Sequence, residues 1–213
     1  MSHPIIAPDV TAYLDRLVPA RPRELEAMEA LARRTDFPII GPAAGQFSYL
    51  VARMLGARSV FELGSGFGYS TAWFARAVSE NGGGVVHHTV WDEELSARAR
   101  RHLASLGLDS LVRFHVSEAV EALRAEAGPF DLVFCDIDKT GYPAAVPAIK
   151  ARLRPGGVLI ADNLLWSGRV LDAADRSPDT EGIREFTRMI ASDPDWTASV
   201  VPIRDGLLVA RLR

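Results

Sequence analysis

A single cysteine, Cys135, stands in 213 residues, so no disulfide can close within the chain and a reducing cytoplasm is the expected compartment. It lies in the apolar run "LVFCD" (132–136), where a buried, inert thiol is expected. No apolar run approaches the roughly 18 residues that a membrane span requires. The opening MSHPIIAPDV lacks the charged start, apolar stretch and small-residue cleavage site of an export leader. Charge of one sign is also missing. The 24 basic and 27 acidic side chains are interspersed and leave a net charge of −3, which excludes a basic stripe for nucleic acid and a like-charged disordered tail. There is no internal repeat and no low-complexity segment. What remains is 48% hydrophobic, enough to bury a full core as one domain or as a domain with an extension.

Residues 9–34 read as two helices broken near Val18–Pro22, with Leu25, Met28, Leu31 and Ala32 at helical spacing in the second. "FPIIGPAAG" breaks the regularity, and Gln46–Leu55 reads as a short amphipathic helix. From Ser59 the pattern alternates. Apolar strand candidates at 58–63, 85–90, 111–116, 130–135 and 157–161 are separated by helical stretches at 69–79, 93–106, 118–126 and 142–153. Strands without strict polar alternation, divided by helices, predict a parallel sheet covered on both faces. Trp196–Ile203, then "RDG", then Leu207–Leu212 predict an antiparallel hairpin with Asp205-Gly206 at its turn. The expectation is an α/β, doubly wound sheet of seven strands, mostly parallel with a C-terminal antiparallel hairpin. Residues 1–40 form an N-terminal helical extension and 41–213 the main domain. In such sheets ligands sit at the carboxyl ends of the strands, where the winding reverses.

Strand 58–63 runs into Gly64-Ser65-Gly66-Phe67-Gly68, and a helix opens near Tyr69. Glycines let a backbone take positive φ and let a ligand come close, and a helix N-terminus offers free N–H groups. A dinucleotide loop, G-x-G-x-x-G, is not met: the third glycine comes one residue early and Tyr69 fills its place. The shape E-x-G-x-G-x-G after a strand suits a nucleoside bearing a carboxylate, such as S-adenosylmethionine (SAM), with polar contacts from Glu62 and Ser70. A plain tight turn is the alternative.

Two further strand ends carry acids. "DLVFCDIDKTGY" closes strand 130–135 with Asp136, Asp138 and Lys139; "RPGGVLIADNLLWSGRV" closes strand 157–161 with Asp162 and Asn163. If these strands are neighbours, Asp136, Asp162 and Asn163 converge as hard oxygen ligands for magnesium, calcium or manganese. A cation beside Lys139 would favour its neutral form and its use as a general base. The bland alternative is that Asp and Asn cap the following helices.

On "FELGSGFGYS", "DLVFCDIDKTGY" and "LRPGGVLIADNLLWSGRV", the chain resembles the metal-dependent class of SAM-dependent O-methyltransferases, which holds catechol and caffeoyl-CoA O-methyltransferases and many bacterial relatives. The likeness covers nearly the whole chain, most firmly Phe37–Val170, and implies a Rossmann-like fold and a homodimer. By position it implies that Glu62, Gly64, Ser65, Gly66, Gly68 and Ser70 hold the methionine part of SAM. Glu118 and Ala119 then lie near its adenine. Asp136, Asp162 and Asn163 would bind a divalent cation (Asp136 also beside the cofactor), Lys139 would be the base, and Asp138 and Trp166 would border the acceptor. The implied reaction joins the methyl group to a hydroxyl of a small aromatic acceptor and releases S-adenosylhomocysteine (SAH). No nucleic acid or membrane takes part.

One departure stands out. The second strand of these enzymes ends in an acid that binds the ribose hydroxyls, and here that place falls on Val90. Asp92 lies two residues on, where "DEE" (92–94) also suits a helix N-terminus. The missing contact leaves a catalytically silent SAM-fold binding protein as a second reading; an NAD-dependent oxidoreductase is disfavoured by the glycine spacing. His87 and His88, adjacent on a strand, point to opposite faces and cannot share a metal. His102 and His115 have no recognisable partner, and 172–180 reads from its composition as a mobile loop.

Overall fold

The computed structural model describes residues 6–213. Residues 1–5, on which part of the leader expectation and the start of the extension rest, lie outside them. Five parallel strands, β1 (Ser59–Leu63), β2 (Val85–Val90), β3 (Val112–Val116), β4 (Phe130–Cys135) and β5 (Leu153–Ala161), precede an antiparallel pair, β6 (Trp196–Val201) and β7 (Leu207–Leu212). They form one sheet in the order β3-β2-β1-β4-β5-β7-β6, the expected doubly wound arrangement. The winding reverses between β1 and β4, and β7 inserts beside β5, leaving β6 at the edge.

Helices α1 (Pro8–Leu17), α2 (Arg23–Thr35), α3 (Gly41–Leu55), α4 (Tyr69–Glu80) and α5 (Glu93–Ser105) come before β3. Helices α6 (Ala119–Ala125), α7 (Tyr142–Arg152) and α8 (Pro178–Ser192) come after it. No described helix is long and apolar enough to cross a membrane. The period-2 alternation of strand side chains sorts the core into two layers. Phe61, Leu63, Val133, Cys135, Leu159 and Ala161 face the layer shared with α6, α7 and α8. Val60, Val86, Leu132, Phe134, Val158 and Ile160 face the layer shared with α2, α3 and α4. Cys135 is fully buried in the first layer, and burial pushes its thiol up to about 12, which keeps it un-ionised.

Four local expectations change. Helix α3 starts at Gly41 rather than Gln46, because Pro42 fits its first turn and Gly45 leaves room for the Trp73 indole. Strand β5 begins at Leu153, and its Pro155-Gly156-Gly157 run is absorbed by a register shift between Phe130 and Leu132. Strand β6 stops at Val201, since Pro202 has no N–H for the ladder, so residues 202–206 form a loop in place of a two-residue turn. Segment 172–177 is tied down: Asp175 accepts from Arg169 and Ser177, and Arg184 donates to the carbonyls of Arg169, Val170, Asp172 and Asp175.

The α3–α4 contact yields a test. A Cβ on Gly45 would stand 2.3 Å from Nε1 of the buried Trp73. Gly45→Ala is expected to cost about 1–3 kcal/mol, as overpacking does, read as a lower urea midpoint at unchanged slope. An unaltered midpoint would show that the indole has room to move.

Candidate active site

The same alternation decides which strand-end side chains meet. Continued past the strands, it turns Val90, Glu62, Asp136 and Asp162 toward the α4 side, across adjacent strands β2, β1, β4 and β5. Three of these four are carboxylates. Glu62 is fully buried. Its Oε2 accepts from the Thr71 hydroxyl, while its Oε1 has no partner among the described residues. Burial pushes Glu62 up to about 7, opposed by the hydroxyls of Ser70, Thr71 and Ser65 and reinforced by Asp136. Thr71 spends its proton on Glu62, so Nδ1–H of His88, 3.0 Å away, must donate to it. Burial holds that imidazole neutral, down at about 3.

The glycine loop is shaped by its neighbours in the protein. At Gly64 (φ 81°) a Cβ would lie 2.2 Å from the Asp136 carbonyl oxygen, because the Asp136 N–H donates to Leu63 O just there. At Gly68 (φ 92°) a Cβ would press on Ala99 of α5. Ser65 exchanges two 3.0 Å hydrogen bonds with Thr89 of β2, and Gly66 lies under the Phe37 ring. The loop thus presents α4's first turn, with Ser70, beside an unpartnered carboxylate oxygen. An ammonium group with a carboxylate, as on an amino acid, suits that donor set.

Lys139, almost wholly buried, donates to Asp136 Oδ1 (2.8 Å), Ile137 O (3.2 Å) and Tyr142 Oη (3.0 Å), which uses all three of its N–H bonds. Tyr142, the first residue of α7, bridges the ends of β4 and β5 through the carbonyls of Cys135 and Asp162. Sequence reading missed it; its signal is the spacing of three from Lys139. Asp162, 2% exposed, accepts from the Asn163 N–H and is pushed up to about 7 by burial and by Asp136. Two carboxylates, one of them desolvated, fit a hard divalent cation, which would relieve both burial and repulsion, while the Asn163 amide turns its Nδ2 toward Asp205 Oδ2 at 3.5 Å.

Strain gathers beside this group. Among the described residues five other than glycine have positive φ, and four of them are Asn163, Trp166, Ser167 and Arg204. Each such residue costs about 1–2 kcal/mol, and such clustering points to a functional site. The 202–206 loop holds the turn: Asp205 accepts from the Ser167 and Leu165 N–H groups, and Gly206 O accepts from Leu164. Trp166 packs under the Arg169 guanidinium at 5.5 Å. Arg204 Nη1 stands 3.9 Å from Asp162 Oδ2. Nothing in the sequence marked Arg204.

Other residues stand apart from this cluster. Glu118 caps α6 with both carboxylate oxygens, on Val120 N and Glu121 N, and Ala119 is the helix's first residue. Asp138 is exposed, with its carbonyl closing the 3-10 turn after it. Asp92 caps α5 through Leu95 N, and Val90 is buried. Two histidines expected to lack partners have them. His115 Nε2 lies 3.0 Å from His87 Nδ1 on the opposite sheet face, with Glu126 4.0 Å from each, and His102 meets Glu24 at 2.6 Å. The facing nitrogens of His87 and His115 are spent on each other. Cross-strand pairing of β2 with β3, which brings them together, is invisible in one strand's pattern.

With this geometry in hand, comparison with known proteins gives a consistent result. A family model described as O-methyltransferase matches residues 23–213. A catechol O-methyltransferase of Niastella koreensis is 32% identical over 180 residues, covering 80% of each chain. Among solved structures, the O-methyltransferase TomG of Streptomyces achromogenes, in complex with SAM, is 29% identical with a TM-score of 0.86, covering 96% of each chain. An O-methyltransferase of Bacillus cereus in complex with SAH is 29% identical with a TM-score of 0.86, covering 96% of this chain and 97% of that one.

Glu62 makes the stability of the ligand-free protein depend on pH. Its folded value of about 7 lies above the ordinary 4.5, so the folded state holds the proton more tightly. The stabilisation is complete below pH 4.5 and is lost as pH rises through 7. At about 1.4 kcal/mol per pH unit the loss is on the order of 3 kcal/mol. Glu62→Gln should flatten that slope in urea titrations run across the window. Parallel curves for the two proteins would refute the uncompensated burial.

Proposed function

The chain belongs to the family of SAM-dependent O-methyltransferases, and on that premise we propose that it methylates a hydroxyl of a small catechol-like or otherwise hydroxylated aromatic acceptor, assisted by a divalent cation. The observation that supports this reading is that Asp136, held by Lys139, and Asp162, whose carboxyl Asp136 helps to push up, stand at the ends of the adjacent strands β4 and β5, with Asn163 next to Asp162 in the chain. Glu62, Gly64, Ser65, Gly66, Gly68 and Ser70 hold the methionine end of SAM, with the free Oε1 of Glu62 turned to its ammonium group. Asp136 borders that end, and Glu118 and Ala119 lie toward the adenine.

Asp136, Asp162 and Asn163 hold the cation. When bound, it would supply a Lewis acid that makes a nearby hydroxyl more acidic. In its neutral form, with the bond to Asp136 given up, Lys139 takes the hydroxyl proton, and its two remaining N–H bonds, to Tyr142 and Ile137, keep Nζ in place. Asp138 and Trp166 border the acceptor. The acceptor oxygen forms its bond to the methyl carbon as the carbon–sulfur bond breaks and SAH leaves. Holding oxygen, carbon and sulfur in line supplies much of the acceleration. Homodimer formation belongs to the same proposal, supported by exposed Val10, Tyr13 and Leu17 on α1 and Leu50 and Met54 on α3.

Val90 favours one other reading, a silent protein with the same fold, and calorimetric titration with SAH decides between the two. Micromolar binding supports the enzyme, while no heat of binding leaves the missing ribose contact uncompensated. Two variants test the chemistry. Asp162→Ala should abolish cation-dependent turnover while the protein stays folded; chelator-insensitive activity in it would remove the cation from the mechanism. Lys139→Ala should slow methyl transfer by about 10²–10⁴-fold with SAH affinity little changed, and equal losses in both would reject the base.

A further inference from the structure

Among the described residues, Arg204 is a charged side chain at the strand-end cluster without a hydrogen-bonded partner. The other arginines near the site are held by forks: Arg169 bonds Asp175 and Ser177, and Arg184 bonds four carbonyls and Glu181. Arg204 has only the 3.9 Å approach to Asp162, beyond hydrogen-bond length, and its side chain is 33% exposed. It is also held in a costly place. Its φ of 52° is a left-handed conformation that glycine adopts freely, and Asp205 and Gly206, next along, are fixed by the Asn163–Ser167 turn. The guanidinium stem lies on Gly41 at the start of α3, where a Cβ would come within 3.4 Å of Arg204 Cδ. Backbone strain and donors without a hydrogen-bond partner thus stand together in a guanidinium set between the start of α3 and Asp162, at the strand ends where ligands of such sheets bind.

Resting on the function proposed above, we propose that Arg204 selects the acceptor: the chain prefers hydroxylated aromatics that carry a carboxylate, which the guanidinium fork receives. With Asp162 given to a cation, as in the function proposed above, its carboxylate would no longer be open to Arg204, and the fork would be left to an outside anion. The planar fork matches a carboxylate with two parallel N–H···O bonds, a match that lysine cannot make. A neutral catechol offers it nothing.

The test compares 3,4-dihydroxybenzoate with catechol as acceptors for the wild-type protein, Arg204→Gly and Arg204→Lys, with magnesium and saturating SAM. Glycine suits the left-handed backbone, so Arg204→Gly should fold with an undiminished melting temperature. It should raise KM for 3,4-dihydroxybenzoate by about 10- to 100-fold, the range for a hydrogen bond to a charged group. The constants for catechol should change far less, so that the preference for 3,4-dihydroxybenzoate over catechol in kcat/KM falls by the same roughly 10- to 100-fold, and Arg204→Lys should fall between. Equal changes for both acceptors, or a changed magnesium requirement, would mean that Arg204 serves Asp162 and would overturn the proposal. If neither compound is methylated, the proposed function fails by itself. Calorimetric binding of 3,4-dihydroxybenzoate to the SAH-loaded protein then still decides: selective loss in Arg204→Gly upholds the fork, and equal affinity in both proteins rejects it.

Discussion

The molecule is organised around carboxylates buried where they are least comfortable. Glu62, Asp136 and Asp162 end three adjacent strands on one face of the sheet, and Glu62 and Asp162 are almost entirely out of water. Desolvation and mutual repulsion push both of these acids up to about 7. A fold selected only for stability would place apolar side chains there, as it does one turn of the pleat earlier with Val60, Phe134 and Ile160.

Much of the surrounding structure serves to hold that arrangement. Gly64 lets β1 run close enough to Asp136 for the backbones to bond. Tyr142 plugs the gap between β4 and β5 and fixes the Lys139 Nζ. The 202–206 loop grips the left-handed turn at Asn163–Ser167. Strain and buried charge close together are the signature of a functional site; in the function proposed above, an ammonium group for Glu62 and a cation for Asp162 supply the missing compensation. Val90 fits this picture as the one member of the row that carries no charge.

The sequence made most of the fold legible, because a covered parallel strand is a local apolar run and its crossover helix has its own period. It failed where distant parts of the chain decide. Helix α3 extends back to Gly41 because Trp73 accepts Gly45, a contact between residues 28 positions apart. The pairing of His87 with His115 depends on register between β2 and β3. Segment 172–177 looked loose by composition, yet Arg184, a turn and a half into α8, ties it through four carbonyls.

The candidate site divides in the same way. By itself the sequence determined which chemistry stands at each strand end: Glu62 before three glycines, Asp136 three residues before Lys139, and Asp162 beside Asn163. Those are properties of neighbouring residues, and strand parity already sets their faces. Only the tertiary structure decided that β4 and β5 are adjacent, that Tyr142 joins them, and that Arg204, 42 residues after Asp162, comes to stand before its carboxylate. The reason is physical. Alternation along a strand fixes direction, but strand order and the path of a loop are set by how the two apolar layers close, and no single segment contains that information.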